Sequence, residues 1–200
     1  MSGGSANTMS LYVVMLGPPG SGKGTQAQRL AEHFGIPHIS TGDMFRAIQD
    51  EETELARQVR DIMRRGELVP DALTIEMVRS RLQRPDAAAG AIFDGFPRTI
   101  AQADALAAML QELFGEEVDV ALLLDVDEEE IMRRVRGRAR LEGRADDAEE
   151  IVRKRHQTYL EQTTPLVDYY RAQGKLVTVD GARPIADITQ DLVAVLREHA

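Results

Sequence analysis

The sequence predicts an α/β fold of three layers (α/β/α), with a five-stranded parallel sheet between two sheets of helices. Short apolar runs alternate with longer segments of helical spacing. The short runs are almost wholly apolar, as expected of parallel strands buried on both faces. The length also fits: 200 residues, 43% of them hydrophobic, can bury about 70% of the surface of the unfolded chain.

The strands are expected in order. Leu11 to Leu16 contains Val13 and Val14 and ends at Gly17. Pro37 to Ser40, Ala91 to Phe93, Val118 to Leu124 and Lys175 to Val179 follow. Lys23 to Phe34 is a helix, because Ala27, Leu30, Ala31 and Phe34 share one face. Further helices are predicted over Thr53 to Arg65, Asp71 to Arg84, Ile100 to Phe114, Asp127 to Gly137 and Ala148 to Ala172. The last, Pro184 to His199, opens with Pro in its first turn. Three strands end in Asp94, Asp125 and Asp180. Ligands of such sheets bind beyond the carboxyl ends of the strands, so polar groups stand where a site is expected.

Two stretches break the alternation. Thr41 to Val69 is helical without a strand, and Ala139 to Ala145 reads as a short polar loop between Arg-bearing helices. Both are expected to cover the site. Residues 1–9 are rich in Ser, Gly, Asn and Thr, with neither a charged start nor an apolar stretch. They read as a disordered leader rather than a signal peptide, leaving residues 10–200 as one domain.

Composition excludes several classes. The chain has no cysteine, so disulfides, thiol catalysis and zinc on thiolates are ruled out, and a reducing cytoplasm fits. A net charge of −9 argues against a nucleic-acid surface. No apolar run approaches the ~20 residues of a membrane span. His33, His38, His156 and His199 have no triad or metal spacing and read as surface or structural residues.

Gly17-Pro18-Pro19-Gly20-Ser21-Gly22-Lys23 lies between a predicted strand and a predicted helix. It matches G-x-x-x-x-G-K in the context that pattern needs. Glycines let the backbone curl into a nest of N–H donors, and the helix N-terminus adds positive potential. Gly20, Ser21, Gly22 and Gly24 are therefore expected around nucleotide phosphates, with Lys23 reaching the outer ones. Gly24 stands where the general pattern has a hydroxyl residue for magnesium, and Thr25 follows. The motif indicates nucleoside triphosphate phosphates; kinases, other nucleotidases and regulators all remain open.

Further blocks narrow this. Gly17 to Gln26, Ser40-Thr41-Gly42-Asp43-Met44, Asp94-Gly95-Phe96-Pro97-Arg98-Thr99 with Gln102, and Arg144-Ala145-Asp146-Asp147 with Arg155 resemble, in the same order, the adenylate kinases. The resemblance spans nearly the whole chain after the leader. It implies transfer of the γ-phosphate of MgATP to AMP, giving two ADP, by a phosphate-loop kinase with a helical monophosphate-binding insert (40–69) and a lid (137–147). The lid is of the short type, without zinc. The resemblance further implies a cytoplasmic monomer whose partners are ATP, AMP and ADP.

Residue roles follow from the same resemblance. Lys23, Arg98, Arg134, Arg144 and Arg155 would be catalytic. Arg46 and Arg98 would clamp the AMP phosphate, and Arg144 and Arg155 would bridge donor and acceptor. Arg138 and Arg183 would lie on the ATP side. Thr41, Glu67, Leu68, Val69, Gly95, Phe96, Pro97 and Gln102 would surround AMP. Asp94 would hold Mg²⁺ through water, with Thr25 as a second candidate. Thr41 and Gln102 favour AMP over the UMP/CMP kinases, which usually carry Ala and Asn there. Other readings stay open at this point. Arg134 is spaced to pair with Glu130, Gln102 could be a solvated helical residue, and Asp94 could cap a helix.

Overall fold

β1 (Leu11–Leu16) is buried along all six residues because it is the middle strand of the sheet. The computed structural model describes residues 10–49, 51–142 and 149–199. The strands are β2 (His38–Ser40), β3 (Gly90–Asp94), β4 (Val120–Asp125) and β5 (Leu176–Asp180). Their order is β2-β3-β1-β4-β5, and every pairing is parallel.

Alternate side chains enter two cores, as pleating requires. Val13 and Met15 pack with Leu30 of α1 (Lys23–Phe34) and Leu192 of α9 (Ile185–Arg197). Tyr12, Val14 and Leu16 pack on the other face with Leu106 and Leu110 of α5 (Ile100–Phe114) and Val78 of α4 (Asp71–Leu82). The Tyr12 hydroxyl donates to Ala87 O at 2.9 Å. Burial, with Glu116 and Asp119 nearby, pushes its pKa up to about 12.

Between β2 and α4 the chain forms α2 (Thr41–Ile48) and α3 (Glu54–Arg64). Ser40 Oγ accepts from Asp43 N at 3.2 Å and Thr53 Oγ1 from Ala56 N at 3.1 Å. Both are N-caps that satisfy a free amide of the first turn. Phe45, Val59 and Val69 give this part its own small apolar cluster.

Two expectations are corrected. The helix expected to end at Gly137 is α6, Glu128–Glu142. It passes through Gly137 because the residues that follow are good helix formers, and one Gly costs only about 1 kcal/mol. The expected loop Ala139 to Ala145 therefore begins inside a helix; its remainder, 143–145, lies outside the described residues. The single helix expected over Ala148 to Ala172 is divided into α7 (Glu149–Thr158) and α8 (Pro165–Ala172). A π-helical stretch, Tyr159–Thr163, joins them, so the chain stays helical while its hydrogen bonding changes. Pro165 has no N–H for the carbonyl of Glu161, and Thr164 N bonds instead to Tyr159 O, five residues back, at 2.9 Å.

Two glycines make opposite predictions. Gly90 has φ +128°, and a Cβ there would meet Leu11 N at 2.8 Å and its carbonyl oxygen closer still. Backbone in a central ladder cannot move aside, so Gly90→Ala should lower stability by more than about 3 kcal/mol. Gly137 is helical, and a Cβ there meets nothing within 4 Å, so Gly137→Ala should add about 0.5–1 kcal/mol. Urea unfolding midpoints check both.

Candidate active site

The turn after β1 opens the site. Gly17, Gly20 and Gly22 have φ of 139°, 89° and 98°, which side chains other than hydrogen rarely allow. At Gly20 there is also no space: a Cβ would lie 2.8 Å from Val135 Cγ2 of α6. The turn delivers its amides to the start of α1, where the helix dipole adds positive potential. Lys23 Nζ donates to Gly17 O at 2.6 Å and to Pro18 O at 2.9 Å, so the ammonium arches over the loop.

A cavity of about 890 Å³ spreads from this loop across the carboxyl ends of β1, β2, β3 and β4. That is the upper end of the range for small-molecule sites, roughly 300–1,000 Å³. Its near wall is the phosphate loop with Arg134 and Arg183; its far wall carries Thr41, Arg46, Gly95, Arg98 and Gln102. Asp94 and Arg155 also line the space.

Asp94 ends β3 and faces His38, whose Nε2 stands 3.4 Å from Asp94 Oδ2. An ionised carboxylate only accepts, so this contact places the imidazole proton on Nε2. Burial raises the Asp94 pKa; the His38 hydrogen bond and the charges of Lys23 and Arg98 outweigh it and hold it below the ordinary value. A Cβ on Gly24 would come within 3.3 Å of Asp94 Oδ2. The departure from Ser or Thr at this place thus leaves room for the carboxylate. His38, read from the sequence as surface or structural, belongs to the cavity wall. Its short strand pairs beside Asp94 across β3, a neighbourhood that spacing along the chain does not reveal.

Arg134 makes the expected helix pair and also reaches two loops. Its Nε donates to Glu130 Oε1 at 2.6 Å, the expected i,i+4 pair, and its terminal nitrogens donate to Ser21 O at 3.1 Å and Gly181 O at 2.8 Å. It therefore ties α6 to the phosphate loop and to the loop after β5. Arg133 and Arg134 together hold the Glu130 carboxyl down to about 2. Arg183 lines the cavity and pairs with Asp191 of α9 at 2.6 Å.

On the far wall Thr41 Oγ1 donates to Gly95 O at 2.8 Å, so its oxygen has only acceptor capacity left. Arg46 pairs with Asp43. Arg98 Nε donates to Gly95 O at 2.9 Å. Glu67 pairs with Arg65 at 3.0 Å. Val69 is buried in the small cluster, and it and the partly buried Leu68 both line the cavity. Gln102 is 2% exposed and not solvated. Its Oε1 accepts from Arg98 N at 2.8 Å, and its Nε2 donates to Asp71 Oδ1 at 2.7 Å.

Phe96 is fully buried in the core with Leu106 and Leu110 rather than on the cavity wall. A large apolar side chain next to a sheet end lowers its free energy by entering the core, and its neighbours Gly95 and Pro97 line the cavity. Arg144 and the side chain of Arg138 lie outside the described residues. Thr158 was not expected: its Oγ1 lies 2.9 Å from Lys154 O and 3.3 Å from Gly66 O, which sets α7 against the segment before Glu67.

The charge balance at Asp94 has a measurable sign. Its folded pKa is lowered relative to ~3.9 for an unfolded Asp. Its contribution is therefore full above about pH 4 and is lost as pH falls through the folded value. The unfolding free-energy difference between wild type and Asp94→Asn should shrink in that direction as pH is lowered from 5 to 3. Urea titrations at each pH check it.

Comparisons with known proteins agree with this geometry. The family model described as adenylate kinase matches residues 15–175. Adenylate kinase of Thermobifida fusca (strain YX) is 50% identical over 190 residues, 95% of this chain and 100% of that protein. That of Stenotrophomonas maltophilia (strain K279a) is 47% identical over 187 residues, 94% of this chain and all of the relative. That of Methanosarcina barkeri (strain Fusaro / DSM 804) is 42% identical over 216 positions, 95% of this chain and all of the relative. With a family model over most of its length and relatives aligned end to end, the chain belongs to the adenylate kinase family.

Proposed function

We propose that this enzyme catalyses reversible transfer of the γ-phosphoryl group of ATP to AMP, giving two ADP, by direct in-line displacement. The observation that carries the reading is the single cavity with two different walls. One is a phosphate loop ending in Lys23; the other is a pair of arginines, Arg46 and Arg98, beside an amide, Gln102.

Phosphoryl transfer needs positioning and charge stabilisation more than covalent chemistry. Loop amides from Gly20 to Thr25 hold the ATP phosphates, and Lys23 neutralises the outer ones. Arg46 and Arg98 clamp the AMP phosphate. Arg134, Arg144 and Arg155 bear on the group in transit, with Arg138 on the ATP side. Thr41 and Gln102 take the adenine edge, and the backbone of Glu67-Leu68-Val69 runs along AMP. The attacking AMP oxygen is already anionic, so no general base is required. Segment 40–69 acts as the acceptor-binding insert and 137–147 as a short lid; their closure excludes water, which would otherwise take the phosphoryl group.

Asp94 fits a magnesium ion that arrives with ATP. It is an ionised carboxylate on the cavity wall. Among the described residues, no group of three His, Cys, Asp or Glu could hold a metal by itself. Asp94 would hold the ion through water, as Mg²⁺ prefers, with the Thr25 hydroxyl as a further candidate. The ion, when bound, offsets charge on the transferring phosphates. No described helix is long and apolar enough to cross a membrane, and we expect a cytoplasmic monomer.

ADP formation from ATP and Mg²⁺ should require AMP and should be slower with CMP and with UMP at equal concentration. ADP formed without a monophosphate, or fastest with UMP, would contradict the reading. Arg98→Ala should lower kcat/KM for AMP by about 100- to 1,000-fold, measured by the same formation of ADP.

A further inference from the structure

Behind the far wall of the cavity, Asp71 bonds to two groups of the neighbouring segment. It is the first residue of α4 and is absent from the cavity lining. Its Oδ1 accepts from Gln102 Nε2 at 2.7 Å and its Oδ2 accepts from Thr99 Oγ1 at 2.9 Å. Thr99 Oγ1 in turn accepts from Gln102 N at 3.2 Å. Both carboxylate oxygens are engaged, so the carboxylate cannot turn without breaking a bond.

These partners decide which end of the Gln102 amide is nitrogen. A carboxylate only accepts, so the end facing Asp71 must be the NH₂. A backbone N–H only donates, so the end facing Arg98 N, at 2.8 Å, must be the carbonyl oxygen. The amide ends are thus fixed by chemistry rather than by shape, which is almost the same for both orientations. One N–H and one oxygen lone pair are left for the cavity that Gln102 lines. That pair offers a donor beside an acceptor, in one order only. Adenine presents the complement at its Watson–Crick edge: an acceptor at N1 and an amino donor at position 6. Hypoxanthine has nearly the same shape and the opposite polarity, a donor at N1 and an acceptor oxygen at position 6.

We propose that Asp71 is a positioning residue for base selectivity. By holding Gln102 Nε2, it fixes the polarity of that amide and so makes the enzyme prefer the 6-amino purine monophosphate, AMP, to the 6-oxo purine monophosphate, IMP. The inference rests on the reading of Gln102 as the group that meets the base. Without Asp71 the amide is free to turn over at the loss of one backbone hydrogen bond, and its two orientations then serve both purines. A site with fixed donors rejects a mismatched analogue because buried polar groups are left unpaired.

The test is the ratio of kcat/KM for AMP to that for IMP in wild type, Asp71→Ala, Gln102→Ala and the double variant. Asp71→Ala should lower the ratio by about tenfold or more, the equivalent of one hydrogen bond. The KM for AMP should rise several-fold while kcat stays within about twofold. In the Gln102→Ala background, Asp71→Ala should have no further effect on the ratio, because its action passes through Gln102. Should Asp71→Ala fail to fold, Asp71→Ser is read in its place. It keeps an oxygen at the helix start but stops short of the Gln102 amide. A purely structural role would lower the melting temperature and slow both substrates alike, leaving the ratio unchanged, and that result overturns the inference. The two readings fail separately. A wild-type ratio in Gln102→Ala removes the base-binding role itself; a collapsed ratio there with an intact ratio in Asp71→Ala (or Asp71→Ser) removes only the role of Asp71.

Discussion

The middle strand of the sheet must leave its carboxyl end through a turn that has almost no room. β1 is buried on every residue, α6 lies against the turn through Val135, and α1 begins at once with Lys23. Only left-handed glycines satisfy this. The conformation they adopt gathers N–H groups around one point, at the positive end of a helix dipole. Packing and phosphate affinity thus have one cause. Arg134 binds the same turn from above through Ser21 O. A shift of α6 therefore shifts the loop as well.

The rest of the site adds charge to that fixed point. The chain as a whole carries −9, yet the cavity is lined by Lys23, Arg46, Arg98, Arg134 and Arg155. Arg46 and Arg134 are each steadied by an acid of their own helix, Asp43 and Glu130. The half-exposed Arg46–Asp43 pair contributes little to stability, whereas the Arg134–Glu130 pair is the less exposed of the two. Asp94 differs. It is held ionised among cations in a confined space, where each charge is felt more strongly than in water.

Much of this was legible in the sequence, for definite reasons. Apolar runs gave the five strands because both faces of a parallel sheet are covered. The glycine pattern gave the loop because its backbone leaves few alternatives. Local rules were less safe where two of them compete. Gly137 signals a helix end, but good helix formers follow it and α6 continues to Glu142. Pro165 removes one hydrogen bond from a long helical stretch, which continues through a π-helical segment. Phe96 sits in a block that otherwise faces the cavity, and burial draws it into the core. Least legible were contacts between distant segments. Asp71 and Gln102 are 31 residues apart, and His38 and Asp94 are 56 apart. Nothing in the spacing of either pair announces it. Gln102 itself carries a local signal, since Thr99-x-x-Gln102 has the form of a capping box; Thr99 Oγ1 accepts from Gln102 N as that motif requires, while Gln102 Oε1 reaches one residue further back, to Arg98 N.

The proposed chemistry requires that donor and acceptor share one cavity and that the phosphoryl group pass directly between them. Transfer of a γ-phosphoryl group made chiral with oxygen isotopes, from ATP to AMP, tests it most directly. One in-line displacement predicts inversion at phosphorus in the ADP formed. Retention would mean two displacements with a phosphorylated side chain between them, such as His38 or Asp94 on the cavity wall, and would contradict direct transfer.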